Sequence, residues 1–202
     1  MFYVIIRLLA KCLFKILFRL QAFGVENIPS TGGFILASNH KSYLDPPALA
    51  VASPRALSFL AREGLFKNAV FDRFISALHA FPLDNQNGDI KALRWAIERL
   101  KAGEPVIIFP EGRRVKEDFL YPASKGVGFL AARANVPVVP AFIEGSGRAM
   151  PVGSGLIYPR KIRVYFGRAL FAQELSVEEA EDYYQKFADQ VMAEIKKLKE
   201  RG

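Results

Sequence analysis

Hydrophobic positions recur along this chain with two periods. Short apolar, β-rich runs at Phe34 to Ser38, Ala56 to Ala61, Ala80 to Leu83, Val106 to Phe109, Val136 to Phe142 and Lys161 to Phe166 read as strands. Helical spacing occupies Pro46 to Ala52, Phe66 to Ala77, Asp89 to Lys101 and Lys125 to Ala134. The third of these helices is the clearest, because Ile90, Leu93, Ile97 and Leu100 share one face and Gly103 stands just past its end. A final helix starts at Ser176, paired with Glu179 as a capping box, and its charged composition to about Lys199 reads as a surface helix. Strands alternating with helices predict an α/β fold, a mixed and largely parallel sheet flanked by helices.

Residues 2–23 follow neither pattern. They are almost wholly apolar except for Arg7, Lys11, Lys15, Arg19 and Gln21, with the cations at every fourth position. On a helix, steps of four drift by about 40°, so the cations share a stripe about 120° wide. Val4, Ile5, Leu8, Leu9, Leu13, Ile16, Leu17 and Leu20 fill the remaining surface. A membrane-spanning helix would carry those cations at roughly 2.5–3.5 kcal/mol each near the bilayer centre, so a helix lying in the interface fits better. A secretory signal fits poorly, since the charges run through the segment and no small-residue cleavage site follows. The plainer alternative is a helix packed on the domain with its cations in solvent. The expected division is an amphipathic, membrane-associating helix over 1–23 and one domain over 24–202, uninterrupted by linker or repeat.

Composition narrows the partners. The 202 residues are 51% hydrophobic and 24% charged, with 15 Gly and 12 Pro, which excludes disorder and leaves enough chain for a buried core. One cysteine, Cys12, and two histidines, His40 and His79, allow neither an internal disulfide nor a zinc pattern, and point to a reducing compartment. A net charge of +8 suits an anionic partner. The cations gather in the first segment and at Arg113-Arg114 instead of interleaving with aromatics, so an acidic lipid surface or a phosphorylated substrate fits and nucleic acid does not.

Two polar segments directly follow apolar strands. In Asn39-His40-Lys41-Ser42-Tyr43-Leu44-Asp45-Pro46, a histidine at a strand exit has a carboxylate five residues on. Such a pair can activate a hydroxyl: neutral imidazole takes the proton and the carboxylate fixes its tautomer. On spacing alone the better reading is the plain one, a loop histidine and an aspartate capping a helix that starts at Pro46. In Phe109-Pro110-Glu111-Gly112-Arg113-Arg114, a glycine and two arginines can approach and clamp a phosphate, while the neighbouring carboxylate accepts hydroxyl hydrogen bonds. Its plain reading is a solvated turn. A third stretch, Val136-Pro137-Val138-Val139-Pro140, reads as a strand that shapes a wall.

In this order and at these separations, the segments resemble the glycerolipid acyltransferase family that includes 1-acylglycerol-3-phosphate acyltransferase. Its first motif is matched by Asn39, His40 and Asp45, its third by Phe109 to Gly112, and its fourth by Val136 to Pro140, so the resemblance covers nearly the whole chain. It implies His40 as general base on the acceptor hydroxyl, Asp45 as its orienter, Glu111 as ligand of the acceptor's glycerol part and Arg114 as phosphate ligand. Gly112 is a further substrate-binding residue, and backbone N–H groups around Gly112 or in the loop after His40 are the expected oxyanion donors. Lys125, in Ser124-Lys125-Gly126, matches a family Lys-x-Gly stretch and is a further anion contact. The implied reaction moves a fatty acyl group from acyl carrier protein or coenzyme A to a lysophospholipid, with no metal and no cofactor beyond the thioester co-substrate. The implied place is the cytoplasmic side of an anionic membrane, as a peripheral or monotopic protein.

The departures bear on the acceptor. Arg113 and Val115 flank Arg114 where the family usually has small hydroxyl residues, and Asn85 stands where a phosphate-binding arginine is usual. Arg113 replaces that contact if it turns inward. Lysophosphatidic acid is the leading acceptor; the alternatives are a lysolipid without a terminal phosphate, which Asn85 favours, and a non-catalytic basic module on acidic membrane. Elsewhere, His79 reads as structural and Cys12 as no catalytic thiol. Trp95 and most of the phenylalanines read as core, with Leu65, Phe66, Phe71 and Phe74 as candidates for an acyl groove.

Overall fold

The computed structural model describes residues 2–67, 69–77, 79–83, 90–115, 120–172 and 180–201. Seven strands form one sheet: β1 (Gln21–Phe23), β2 (Ile35–Ser38), β3 (Ser58–Arg62), β4 (Ala80–Leu83), β5 (Val106–Ile108), β6 (Val138–Glu144) and β7 (Arg163–Phe166). The helices are α1 (Phe2–Leu17), α2 (Asp45–Ala52), α3 (Ala69–Ala77), α4 (Ile90–Lys101), α5 (Gly126–Ala134), α6 (Ser146–Ala149) and α7 (Ala180–Arg201). Strand order is β1-β7-β6-β2-β5-β3-β4, and every pairing is parallel except β6 with β7. The mixed, largely parallel sheet flanked by helices is as expected from the sequence.

Alternation along β2 shows why the sheet is covered on both sides. Ile35 and Ala37 face a core shared with α4, α5 and α7, whereas Phe34 and Leu36 face one shared with α1 and α2. Helix α7 is charged overall, yet Phe187, Ala188, Val191, Met192, Ile195 and Leu198 make a buried stripe against the first core. Its close approach to α5 needs a glycine: a Cβ on Gly128 would stand 2.3 Å from the Tyr184 carbonyl oxygen. The capping pair Ser176 and Glu179 lies outside the described residues.

The first segment departs from expectation. Helix α1 ends at Leu17, and Gln21–Phe23 instead extend the sheet beside β7, in register from Gln21 with Arg163 to Phe23 with Tyr165. Arg19, at a left-handed φ of 46°, turns the chain between them, and the Phe18 carbonyl accepts from Ile162 N–H at 2.9 Å. Helix α1 presents three faces. Phe14, with Ala10 and Leu17 packed beside it, joins the second core, and Phe18 follows just past the helix end. Burying two phenylalanines contributes about 1.5–3 kcal/mol each. Lys11 and Lys15 are exposed, as is Arg19 beyond the helix, and so is an apolar face carrying Leu8, Leu9, Leu13 and Ile16, the last 80% exposed. Arg7 leaves the expected cationic stripe: its Nη2 donates to the Ser53 carbonyl at the C-terminus of α2, where packing of α1 on α2 brings it to a helix end that favours a cation. Among the described residues no helix is long and apolar enough to cross a membrane.

Candidate active site

Parallel pairing of β2 with β5, with Ile35 opposite Val106 and Ala37 opposite Ile108, makes both strands end at the same sheet edge. The loops that follow therefore emerge side by side, the usual place for a ligand site in an open α/β sheet. His40 and Glu111, 71 residues apart in sequence, meet there: the His40 N–H donates to Glu111 Oε1 at 3.1 Å.

The first loop builds a histidine–carboxylate pair. Asp45 is fully buried, and its Oδ2 accepts from His40 Nδ1 at 2.8 Å, Lys41 N–H at 2.6 Å and Ser42 N–H at 2.8 Å. Asp45 is thus the first residue of α2 and binds the turn before it instead of capping the helix. Nδ1 is committed to the carboxylate, so Nε2 is the nitrogen left to receive a proton. Phe109 holds the imidazole from its face, with ring centroids 3.9 Å apart and an interplanar angle of 15°. Asn39 anchors the loop's start to β6: its side chain donates to the Ile143 carbonyl at 3.0 Å and accepts from Ile143 N–H at 2.8 Å. Strand β6, which contains Pro140, serves this way as the interior strand between β7 and β2, and it does not line the cavity described next.

The second loop carries a buried carboxylate and two arginines. Glu111 is buried, with Oε2 accepting from Tyr121 N–H at 3.0 Å, so its carboxylate ties together three chain segments. Burial pushes its carboxyl above the ordinary 4.5, and the hydrogen bonds from Tyr121 and His40 N–H offset part of that rise. Gly112 takes a left-handed φ of 66°, and its N–H donates to the Phe109 carbonyl at 3.0 Å. The amides of Gly112, Lys41 and Ser42, expected as oxyanion donors, are thus all engaged within the two loops. The Arg113 guanidinium lies 4.4 Å from the Tyr121 ring centroid, and that of Arg114 lies 3.6 Å from the Tyr43 ring centroid. Lys125 is exposed at the start of α5, between Ser124 and Gly126, which line the cavity.

His40, Tyr43, Phe109, Gly112, Arg113 and Arg114 line a cavity of about 840 Å³, whereas Glu111 and Lys125 are not among its lining residues. Its polar lining side chains are Arg7, His40, Tyr43, Arg113, Arg114 and Ser124. The rest is apolar, including Phe59, Ala61, Ile75, Leu93, Ala96 and Leu130. A histidine–carboxylate pair beside a large apolar cavity has the character of a site for an apolar ligand. Of the residues expected in an acyl groove, Leu65, Phe71 and Phe74 have side chains outside the described set, and Phe66 is not among the residues lining the cavity; Asn85 lies outside the described residues. His79 is exposed at a φ of 63°, where its amide and carbonyl bond to Ser76 and Phe59, a backbone role. Cys12 is an exposed free thiol on α1.

Residues 19–144 match the family profile described as Acyltransferase. The chain belongs to the acyltransferase family. This acyltransferase is 32% identical over 151 residues to the 1-acyl-sn-glycerol-3-phosphate acyltransferase of Bacillus subtilis, covering 74% of this chain and 73% of that protein. It is 27% identical to the Streptococcus pneumoniae protein of the same name, over 99% of this chain and 74% of that one. It spans 45% of the chloroplastic BAT2 protein of Brassica napus, also 32% identical. Among solved structures it is similar to PlsC, the 1-acyl-sn-glycerophosphate acyltransferase of Thermotoga maritima, with a TM-score of 0.82 and 28% identity over 98% of this chain and 78% of that one.

The sequence names no role for Tyr43 or Tyr121, and it places Phe109 in a motif without showing that its ring holds His40. Each sits in or near a recognised motif, but what marks it is a partner in another loop.

Proposed function

We propose that this acyltransferase moves a fatty acyl group from a thioester donor, acyl carrier protein or coenzyme A, to the free hydroxyl of lysophosphatidic acid, giving phosphatidic acid. The observation that carries this reading is His40, locked by Asp45 and Phe109 at the border of an apolar cavity that Arg113 and Arg114 also line. His40 Nε2 takes the acceptor hydroxyl's proton as the oxygen attacks the thioester carbonyl. Buried Asp45 balances the imidazolium. Collapse of the tetrahedral intermediate forms the ester and breaks the C–S bond, and the imidazolium returns its proton to the departing thiolate. The apolar cavity takes an acyl chain, each buried methylene contributing about 0.8 kcal/mol. Arg114, with Arg113 beside it, takes the phosphate, while Glu111, Gly112 and Lys125 border the acceptor. The names of the bacterial relatives support the same acceptor.

The protein works, in this reading, from the cytoplasmic surface of an anionic membrane. Exposed Leu8, Leu9, Leu13 and Ile16 enter the interface, and Lys11, Lys15 and Arg19 meet acidic headgroups.

His40→Ala tests the reaction with labelled acyl donor and a panel of lysolipids. Loss of about 10²–10⁴-fold in rate is expected in a variant that circular dichroism shows to be folded at the assay temperature. Near-native turnover would end the mechanism, and absence of product from the wild-type protein with every acceptor would leave a membrane-binding module. Preference for a phosphate-free lysolipid, the reading that Asn85 favours, would retain the dyad and reject lysophosphatidic acid.

A further inference from the structure

Tyr43 stands three residues past His40, at a position the motif leaves free, and Arg114 reaches it from the loop after β5. Arg114 Nη2 donates to the Tyr43 hydroxyl oxygen at 2.9 Å while the guanidinium lies over the Tyr43 ring. Both side chains line the cavity that His40 lines. The other terminal nitrogen, Arg114 Nη1, is buried and has no hydrogen-bond partner among the described residues. A buried donor without an acceptor is costly to keep, and at a ligand site it marks where an acceptor is expected. A phenol that accepts through its oxygen also keeps its own proton to donate.

We propose that Tyr43 is the positioning residue of the acceptor's phosphate subsite: it fixes the Arg114 guanidinium so that Nη1 and the Tyr43 O–H meet the oxygens of a phosphomonoester together. The inference rests on the phosphate reading of Arg114 given above. Ring stacking and the hydroxyl bond restrain a long side chain before the ligand arrives, so less freedom is lost on binding. A phosphomonoester has three acceptor oxygens and engages both donors at once, whereas a bare hydroxyl does not replace that charge. The phosphate gains no charge as the neighbouring hydroxyl attacks the thioester, so contacts to it that are equal in ground and transition states set KM and leave kcat alone.

The test uses the full chain with Tyr43→Phe, Tyr43→Leu, Arg114→Ala and the Tyr43→Phe/Arg114→Ala double variant. Tyr43 is 46% exposed, so these changes leave the core intact. KM and kcat are measured with lysophosphatidic acid and with monoacylglycerol of the same chain. The inhibition constant of glycerol 3-phosphate reads the headgroup alone. Arg114→Ala is expected to raise KM and the inhibition constant about 10–100-fold and Tyr43→Phe about 10-fold, from the contribution of charged hydrogen bonds. Tyr43→Leu should do at least as much as Tyr43→Phe, kcat should stay within about twofold, and the double variant should lose less than the two single losses combined. A fall in kcat, an equal rise in KM for both acceptors, or additive losses in the double variant would overturn the proposal. Unchanged constants in Arg114→Ala would reject the phosphate reading and this inference with it. A phosphate-selective loss in Arg114→Ala without one in the Tyr43 variants would reject the role of Tyr43 alone.

Discussion

Replacing Asp45 by asparagine isolates the charge of the dyad from its geometry. Asp45 Oδ2 accepts from His40 Nδ1, Lys41 N–H and Ser42 N–H, while Oδ1 is buried with no partner among the described residues. An asparagine amide nitrogen turned toward three donors would face three N–H groups, so the oxygen takes the Oδ2 position and the nitrogen the other. The imidazole then keeps its orientation, and what disappears is the negative charge facing the imidazolium. At about 4 Å between charge centres and an effective dielectric of about 20, that attraction is about 4 kcal/mol, or about three decades in rate as an upper bound. Asp45→Asn should therefore lower kcat about 10²–10³-fold. The two backbone bonds lose charge assistance, about 1 kcal/mol in all, which lowers the melting temperature by about 2–4 °C in a domain of this size. Thiol release from the acyl donor, followed at saturating acceptor, reads the first quantity, and circular dichroism on heating reads the second. A kcat within threefold of wild type in a folded variant would refute the role given to the carboxylate. So would a loss that merely tracks the unfolded fraction.

Glu111→Gln should remove one of the two backbone ties, because its amide nitrogen must face either His40 N–H or Tyr121 N–H. The Glu111 carboxyl is raised above 4.5 by burial, so its contribution to stability is full below 4.5 and is lost as pH rises through the raised value. The variant should accordingly be more destabilising at pH 4 than at pH 7 in urea midpoints, and an equal difference at both would contradict the assignment. Changing Lys11, Lys15 and Arg19 together to glutamate should release the protein from anionic vesicles in a salt-sensitive way, at about 1 kcal/mol per cation. Changing Leu8, Leu13 and Ile16 to serine should release it with little salt dependence, and unchanged co-sedimentation of both variants would return α1 to a purely packed role. Ala96 is fully buried at the cavity wall, so Ala96→Leu should shift preference to shorter acyl chains. Each methylene excluded should cost about fourfold in kcat/KM, checked with a donor chain-length series.

Local chemistry was legible from the chain alone. The dyad closes within six residues: Asp45 meets His40 and the amides of Lys41 and Ser42 in one turn, so its geometry is written in the spacing of that turn. The alternation of β2, buried on both faces, and the apolar stripe of α4 likewise depend on period, which sequence carries directly. Gln21–Phe23 were absorbed into the first helix because an apolar run has no mark for where a helix stops, and pairing with β7, about 140 residues away, decides it. Arg7 sat in the cationic stripe by spacing, but the packing of α1 on α2 drew it to the Ser53 carbonyl. Which apolar face of α1 is buried through Phe14 and which is left to Leu8, Leu13 and Ile16 also depended on that packing. The same holds for the contacts of Glu111 with His40 and of Arg114 with Tyr43, each pair 71 residues apart. Their meeting is a consequence of the parallel register of β2 and β5, which aligns two strand ends at one edge. Side-chain periodicity tells which face of a strand is buried, but not which strand lies beside it, and that neighbour is what assembled the site.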